Sequence, residues 1–243
     1  MKTALLISGQ PRFSHDFTLQ LNNLRASEPI DLWCRFWLPE LLNEDHDRRA
    51  QQWIPKSWPY DPDSAAQWIR ARLPPHVKLG HVSFIDPREY PLGAEYRPWY
   101  CNGPAFWRQY QCLQSLAKIL PADYDLIIRS RPDLAVHTGI DLDSAWEWLK
   151  DNPQQLIIPD DGRAGPYHVQ DQWALGLQAT MLKYLNVVDL FDASQAAGQV
   201  WNPEHVVGWA WAQQGISWPK SNIRCSLRWS KIDAETPYWG VWE

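Results

Sequence analysis

The sequence has no long uninterrupted hydrophobic run, and a membrane-spanning helix needs about 18 or more apolar residues in a row. The apolar stretch near the start covers only Ala4–Ile7 and is soon followed by the polar residues Gln10 and Arg12. That stretch is too short for the core of a signal peptide. We therefore expect a buried first strand, no transmembrane segment and a cytoplasmic location.

Closely spaced cysteines are also lacking. The chain has four cysteines, and none of them forms a Cys-x-x-Cys pair: Cys34, Cys101, Cys112 and Cys225. Such spacing is not typical of a zinc site or of a disulfide framework. It indicates reduced cysteines with a structural role.

Excess positive charge and several common catalytic motifs are missing as well. The formal net charge is −5, which disfavours non-specific binding to nucleic acid. The patterns G-x-x-x-x-G-K-[ST], H-E-x-x-H and G-x-S-x-G do not occur. Their absence argues against P-loop nucleotidases, zincin proteases and α/β-hydrolases. No G-x-G-x-x-G follows the first strand, which disfavours a dinucleotide oxidoreductase.

Tryptophan and proline are abundant, with 17 and 20 residues among 243. We expect most tryptophans to lie in the core. Aromatic faces also stack on sugar rings and nucleobases, so some could line a cleft. The length and the near-average hydrophobic content suit one large α/β domain, or two small ones.

Hydrophobic periodicity predicts alternating strands and helices. The predicted strands are 1–9, Ile30–Trp37, Val77–Ile85, Tyr124–Ile128, Leu156–Pro159 and Gln172–Leu177. The predicted helices are Ser14–Leu24, Ser64–Leu73 (capped by Asp63 or Ser64), Pro104–Leu120, one through Met181, Leu185 and Val188, and Pro203–Gln214 with Asn202 and Gly215 as its caps. A long loop is expected between Asp86 and Gly103. This order predicts an open, mostly parallel, twisted sheet flanked by helices, a Rossmann-like α/β fold.

Polar residues follow two of the predicted strands. Ser8–Arg12 comes directly after the first strand, where a small-residue turn allows backbone N–H groups to approach a ligand. In the second segment, Tyr124–Asp133, an apolar strand is followed by Arg129, Arg131 and Asp133. Ligands of open α/β sheets bind beyond the carboxyl ends of the strands, so both segments are candidates for binding. The alternative for the second is an internal Arg–Asp ion pair.

Four segments in this order resemble bacterial and viral glycosyltransferases of the GT-A fold class that build surface polysaccharides. They are S-G-Q-P-R near the start, YDLIIRSRPDL at Tyr124–Leu134, VQDQWALG at Val169–Gly176 and NPEHVVGWAWAQQGI at Asn202–Ile216. The resemblance implies one GT-A-type domain over 1–243. Residues 1–135 would form its nucleotide-binding half and residues 136–243 its acceptor-side half.

The resemblance also implies roles for individual residues. Ser8, Gly9, Gln10 and Arg12 would contact the nucleotide of a UDP- or GDP-sugar, and Arg129 and Arg131 would help to neutralise its diphosphate. Asp133 would stand at the last position of the family's Asp-x-Asp-like element, with a catalytic role at the diphosphate or at a bound Mn²⁺ or Mg²⁺. Arg131 replaces the first acidic residue of that element, so its own positive charge could take the place of the metal.

Asp171 is the candidate general base, which would take the proton of an acceptor hydroxyl. A capping role is the alternative for this residue. Asp160 and Asp161 are a second candidate base pair. Gln109 lies in the middle of the strongest predicted helix, next to aromatic residues; we expect it to face solvent, and the alternative is that it faces the cleft.

The predicted function is therefore transfer of a sugar from a nucleoside diphosphate to a glycan acceptor. On this hypothesis Asp133→Ala removes activity and leaves the fold intact. The main alternative is a non-catalytic carbohydrate-binding protein that uses exposed tryptophans such as Trp99 or Trp201. A sulfotransferase is a third hypothesis, which the Ser8–Arg12 turn only half satisfies.

Overall fold

The computed structural model describes residues 1–13, 17–38, 54, 57–86, 103–159, 167, 169–199, 202–219 and 221–227. Cys101, Trp99, Trp201, Asp160, Asp161 and most of the predicted loop 86–103 lie outside these residues.

A five-stranded sheet forms the centre of the fold. Its strands are β1 (Thr3–Gly9), β3 (Ile30–Trp37), β4 (Val77–Ile85), β5 (Leu126–Ser130) and β8 (Ala174–Leu177). They are arranged in the order β4-β3-β1-β5-β8. All neighbouring pairs are parallel except β5 with β8. The short strands β2 (Leu24–Arg25) and β7 (Ile140–Asp141) form one small sheet, and β6 (Leu134–Val136) and β9 (Cys225–Leu227) form another.

Helices cover both faces of the sheet. They are α1 (Phe17–Asn22), α2 (Pro62–Arg70), α3 (Gly103–Ala117), α4 (Leu142–Asp151), α5 (Gln178–Leu185), α6 (Phe191–Ala196) and α7 (Pro203–Gln213), with a 3-10 helix at Val187–Leu190. One hydrophobic cluster includes side chains of α1, α2 and α4, and a second includes side chains of α3, α5, α6 and α7. The expected α/β architecture, with a mostly parallel sheet flanked by helices, is confirmed. Within the described ranges, every helix is too short or too polar to cross a bilayer.

Alternation along β1 explains the two-sided core. All seven residues of the strand are buried. Leu5 and Ile7 belong to the first cluster, whereas Ala4 and Leu6 belong to the second. A strand that is covered on both faces is hydrophobic at every position, which is why the start of the chain shows no polar alternation.

The strand order creates a switch point between β1 and β5. The chain runs outward from β1 to β3 and β4, and then returns to form β5 on the other side of β1. At such a point the loops that leave the two strands diverge, and a crevice opens beyond their carboxyl ends. Both polar segments predicted from the sequence follow these two strands.

Several predicted boundaries are wrong. Leu156–Pro159 is not a continuous strand: Ile157 forms an isolated bridge to Leu175, and the Leu156 backbone N–H donates to the Ser217 carbonyl at 2.8 Å. The second helix is capped by Asp61, whose side chain accepts a hydrogen bond from the Ser64 backbone N–H at 2.8 Å, so the predicted caps Asp63 and Ser64 lie inside the helix. Helix α1 ends before Leu24, which belongs to β2.

Candidate functional site

The residues that follow β1 and β5 lie side by side. Ile7 is paired with Ser130 across the two parallel strands, so the loops beyond them start at neighbouring positions. Arg12 then reaches Asp133, with Nη2 3.2 Å from Oδ2. The two segments singled out in the sequence therefore meet at one edge of the sheet.

Asp133 is buried and held by two guanidinium groups. Arg131 donates from Nε to Oδ1 and from Nη2 to Oδ2, both at 2.9 Å, and Arg12 lies against Oδ2. Burial acts to raise the pKa of Asp133, but the charges of Arg131 and Arg12 outweigh it and lower that pKa to about 2. The alternative considered for this segment, an internal ion pair, is what the structure contains.

This arrangement does not fit the expected metal ligand or an acid–base role for Asp133. Both carboxylate oxygens already accept hydrogen bonds from Arg131, and a divalent cation here would lie against two positive charges. A carboxylate with so low a pKa is also a poor proton acceptor at neutral pH. Among the described residues, no group of three or more His, Cys, Asp or Glu side chains is placed to hold a metal ion.

Arg129 lies inside β5 and not beyond it, because the strand extends to Ser130. Its side chain is fully buried on the face covered by α3 and α5. Nη1 donates to the backbone carbonyl of Asp171. Nε and Nη2 are buried as well, and no described residue accepts a hydrogen bond from either atom. Unpaired donors on a buried cation are costly, which makes Arg129 the strongest candidate for contact with an anion.

Asp171 lies beside Arg129 in a network of tyrosines. The Tyr110 hydroxyl donates to Asp171 Oδ2 at 2.8 Å, and the Tyr184 hydroxyl donates to the Asp171 backbone carbonyl at 3.1 Å. Burial, followed by the nearby Asp171 charge, raises the pKa of Tyr110 well above its usual value. Tyr110 therefore keeps its proton at neutral pH, and its hydroxyl donates the hydrogen bond that orients one oxygen of the Asp171 carboxylate.

The turn after β1 has a conformation that suits glycine. Gly9 has φ +108°, a backbone conformation that other residues rarely adopt. A Cβ there would meet no other atom within 4 Å, so glycine is favoured by the backbone conformation and not by lack of space. Ser8 and Gln10 flank it, and both are buried. Ser8 Oγ and Gln10 Oε1 find no partner among the described residues. The turn therefore adds unpaired polar atoms to the same edge.

Three residues of this site were missed by the sequence reasoning. Tyr110 was interpreted only as an apolar position of its predicted helix, and Tyr184 was not singled out. Gln20 was not singled out either, but its amide donates to the Arg131 carbonyl at 3.0 Å and accepts from Ser130 Oγ at 2.7 Å. A glutamine three residues after Phe17, on the buried side of α1, was the available signal.

Several arginines lie at this edge of the sheet. Among the described residues, Arg12 and Arg131 contact Asp133, and Arg129 lies beside Asp171. Arg129 is fully buried, whereas Arg12 and Arg131 are half-buried. A concentration of guanidinium groups in one place favours an anionic ligand even in a chain that carries −5.

The described tryptophans do not form a sugar-binding platform. Of those within the described ranges, only Trp148 is exposed, at 39%. Its neighbour Trp146 lies under Lys150, with the ammonium 3.9 Å from the ring centre. The described part of the chain therefore uses tryptophan mainly for packing.

No protein-family model matches the chain, and a search of curated proteins found no match either. The resemblance to GT-A glycosyltransferases stays a prediction from the four sequence segments.

Proposed function

We propose that the chain is a glycosyltransferase that moves a sugar from a nucleoside-diphosphate sugar to a carbohydrate acceptor. The observation that carries the proposal is the pair of unpartnered, buried donor atoms on Arg129, next to Arg131 and Arg12 at the switch point. A guanidinium donates in a fixed fork that matches the oxygens of phosphate groups. The diphosphate of the donor is the group that these atoms would hold.

The proposed chemistry divides the charges between two tasks. The negative charge that develops on the departing diphosphate would be stabilised by Arg129 and by the guanidinium of Arg131. Ser8 would add a hydroxyl donor from β1. Fixed positive groups in a buried site do not have to reorganise during the reaction, which is the source of their catalytic effect.

Asp171 is the proposed general base. Tyr110 binds Oδ2 and the Asp171 backbone is held by Arg129 and Tyr184, so the carboxylate is fixed beside the proposed diphosphate site. A carboxylate in this position would accept the proton of the attacking hydroxyl of the acceptor. Asp133 has a different role in the proposal, because it orients Arg131 and Arg12 and does not touch the substrate.

A thermal-shift panel tests the proposal. Four nucleotides would be added to the protein in EDTA: UDP, GDP, UDP-glucose and GDP-mannose. The same nucleotides would be tested separately without EDTA, with Mg²⁺ or Mn²⁺ in excess over the nucleotide. A ligand that binds only the native state raises Tm by mass action. We expect at least one nucleotide to raise Tm in EDTA. Adenosine 3′-phosphate 5′-phosphosulfate, tested in the same panel, addresses the sulfotransferase hypothesis.

The matched control is Arg129→Gln, which keeps a polar side chain but removes the guanidinium. We expect this variant to lose the nucleotide-dependent shift. Absence of any shift in the wild type, with or without metal, would remove the support for nucleotide-sugar binding. The cytoplasmic location and a role in surface polysaccharide assembly stay predictions from the sequence.

A further inference from the structure

A second group of unpartnered polar atoms lies on β3 and β4, across β1 from Arg129. Arg35 on β3 is paired with Ser83 on β4, and Arg35 is also paired with Ser8 on β1. Two residues further along, Trp37 and Ile85 form a hydrophobic cluster with Cys112 of α3. Because side chains two apart on a strand share a face, Arg35 and Ser83 lie on the face that α3 covers.

Helix α3 presents polar side chains to this row. Cys112 Sγ lies 3.2 Å from the Arg35 carbonyl oxygen, which fixes that side of the helix over β3. Arg108 and Gln109 precede Cys112 by four and three residues, so they lie on the same side of the helix. Solvent was the expected surrounding of Gln109 and the cleft its alternative; the amide nitrogen is buried.

The group contains three nitrogen atoms that can only donate a hydrogen bond and one hydroxyl that can donate or accept. Arg35 Nε, Arg108 Nε, Gln109 Nε2 and Ser83 Oγ are all buried, and no described residue bonds to them. No carboxylate of the described residues forms a salt bridge with either arginine. A guanidinium has no acceptor atoms, so the missing partner of Arg35 and Arg108 has to be an acceptor, and an anion most favourably.

The group lies beyond the proposed diphosphate site and not within it. Arg35 is on β3 and Arg129 is on β5, and β1 separates them, so two strand spacings of about 4.8 Å each divide their backbones. Ser8 lies between the two arginine groups on the same face. A ligand held by Arg129 that extends across β1 would reach Arg35 with the group that follows its diphosphate.

We propose that the donor carries a second anionic group, a carboxylate on the transferred sugar, and that Arg35 and Arg108 bind it with Ser83 and Gln109. This inference rests on the proposed function and specifies its substrate class as an acidic sugar. The nucleoside of a UDP- or GDP-sugar bears no negative charge beyond the diphosphate. The sugar is therefore the part of the nucleotide sugar that can bring a carboxylate to the hydrogen-bond donors of Arg35 and Arg108.

Two pairs of donors that differ only in the carboxylate test this inference. UDP-glucuronic acid is compared with UDP-glucose, and GDP-mannuronic acid with GDP-mannose, by calorimetric titration of the whole chain. In at least one pair we expect the acidic sugar to bind about tenfold or more tightly, as a charge-assisted hydrogen bond provides. Arg35→Gln should abolish this preference and leave the affinity for the neutral sugar unchanged.

The controls separate this inference from the proposed function. Arg70→Gln, at an exposed position on α2, should keep the preference. Ser83→Ala should reduce it and serves as the second variant if Arg35→Gln fails to fold. Equal binding of acidic and neutral sugars by the wild type would overturn the inference alone, and so would equal weakening of both by Arg35→Gln. Failure of every nucleotide to bind would overturn the proposed function and this inference with it.

Discussion

At the scale of single residues, Arg129 and Asp133 show opposite kinds of burial. Asp133 accepts hydrogen bonds at both oxygens and lies against two cations, whereas Arg129 uses Nη1 and leaves Nε and Nη2 without a described partner. The first arrangement is complete in the protein alone. The second lacks an acceptor, which is the arrangement expected if Arg129 contacts a ligand, as the proposed function requires.

Asp133→Asn should therefore destabilise the fold, contrary to the expectation from the sequence that substitution at Asp133 would leave it intact. Removing the charge of the buried carboxylate takes this counter-charge from the half-buried guanidinium groups of Arg12 and Arg131. Breaking a fully buried pair costs about 3–5 kcal/mol, and the partial exposure of both arginines makes this an upper bound here. Urea unfolding at pH 7 measures the difference. An unchanged free energy of unfolding would show that the pair contributes nothing.

The same residue predicts a dependence on pH. The pKa of Asp133 is lowered in the folded protein, so its stabilising contribution is present above pH 4 and is lost as the pH falls towards 2. The gap in unfolding free energy between wild type and Asp133→Asn should therefore narrow between pH 5 and pH 2.5. A gap that stays constant over this range would contradict the ion-pair account.

Arg129→Met should have the reverse effect on stability. A side chain of similar length and no charge removes the unpaired donors, and replacement of uncompensated buried charge by apolar groups is often neutral or stabilising. We expect the Tm of the ligand-free protein to be unchanged or higher, and nucleotide binding to be lost. A strongly lowered Tm would assign Arg129 a structural role.

Among the secondary-structure elements, the positions of the parallel strands could be predicted from the sequence. The exact residues at which the strands next to the site end were harder to predict. Ile30–Trp37 and Val77–Ile85 were predicted at their observed bounds, because buried strands between polar turns leave a clear pattern. The end of β5 was predicted one residue before Arg129, since a charged residue seldom continues a buried strand. Its partner is the backbone of Asp171, which follows it by 42 residues, and no local pattern shows such a contact.

Helix α4 was missed for a different reason. Asp141 caps it through the Ser144 backbone N–H at 3.1 Å, and Leu142 and Leu149 form its buried side. These local signals were present in the sequence. The predicted caps of α7 are confirmed. The Asn202 side chain accepts a hydrogen bond from the Glu204 backbone N–H at 2.8 Å, and Gly215 follows the helix with φ +70°.

Close packing of α7 leads to a prediction about Gly208. A Cβ at this position would overlap the backbone carbonyl of Tyr167, so the helix approaches the segment that leads to Asp171. Gly208→Ala should cost about 1–3 kcal/mol, as overpacking does, although alanine normally favours a helix. Chemical denaturation measures this cost.

Gly139→Ala is the matched control, because a Cβ at Gly139 would meet nothing within 4 Å. It should be neutral or slightly stabilising. Equal stability of the two variants would contradict the close contact between α7 and Tyr167.

At the scale of the whole molecule, strand order determines what meets at the site. β1 and β5 are far apart in the sequence, but the switch in direction places them side by side, so that Arg12 reaches Asp133. The sequence indicated which strand ends carry polar groups. An ion pair between Arg131 and Asp133 was the alternative that the sequence offered, and it forms between residues two positions apart. The contact of Arg12 with Asp133 could not be predicted, because it joins segments more than a hundred residues apart.

The proposed function requires the buried guanidinium of Arg129 to bind the phosphates of a nucleotide at the β1–β5 edge. Calorimetric titration of UDP and of GDP, in EDTA, into the wild type and into Arg129→Gln tests it most directly. We predict saturable binding of at least one nucleotide by the wild type, weakened tenfold or more in the variant. Binding of equal affinity by both proteins would contradict the claim, as would failure of the wild type to bind either nucleotide.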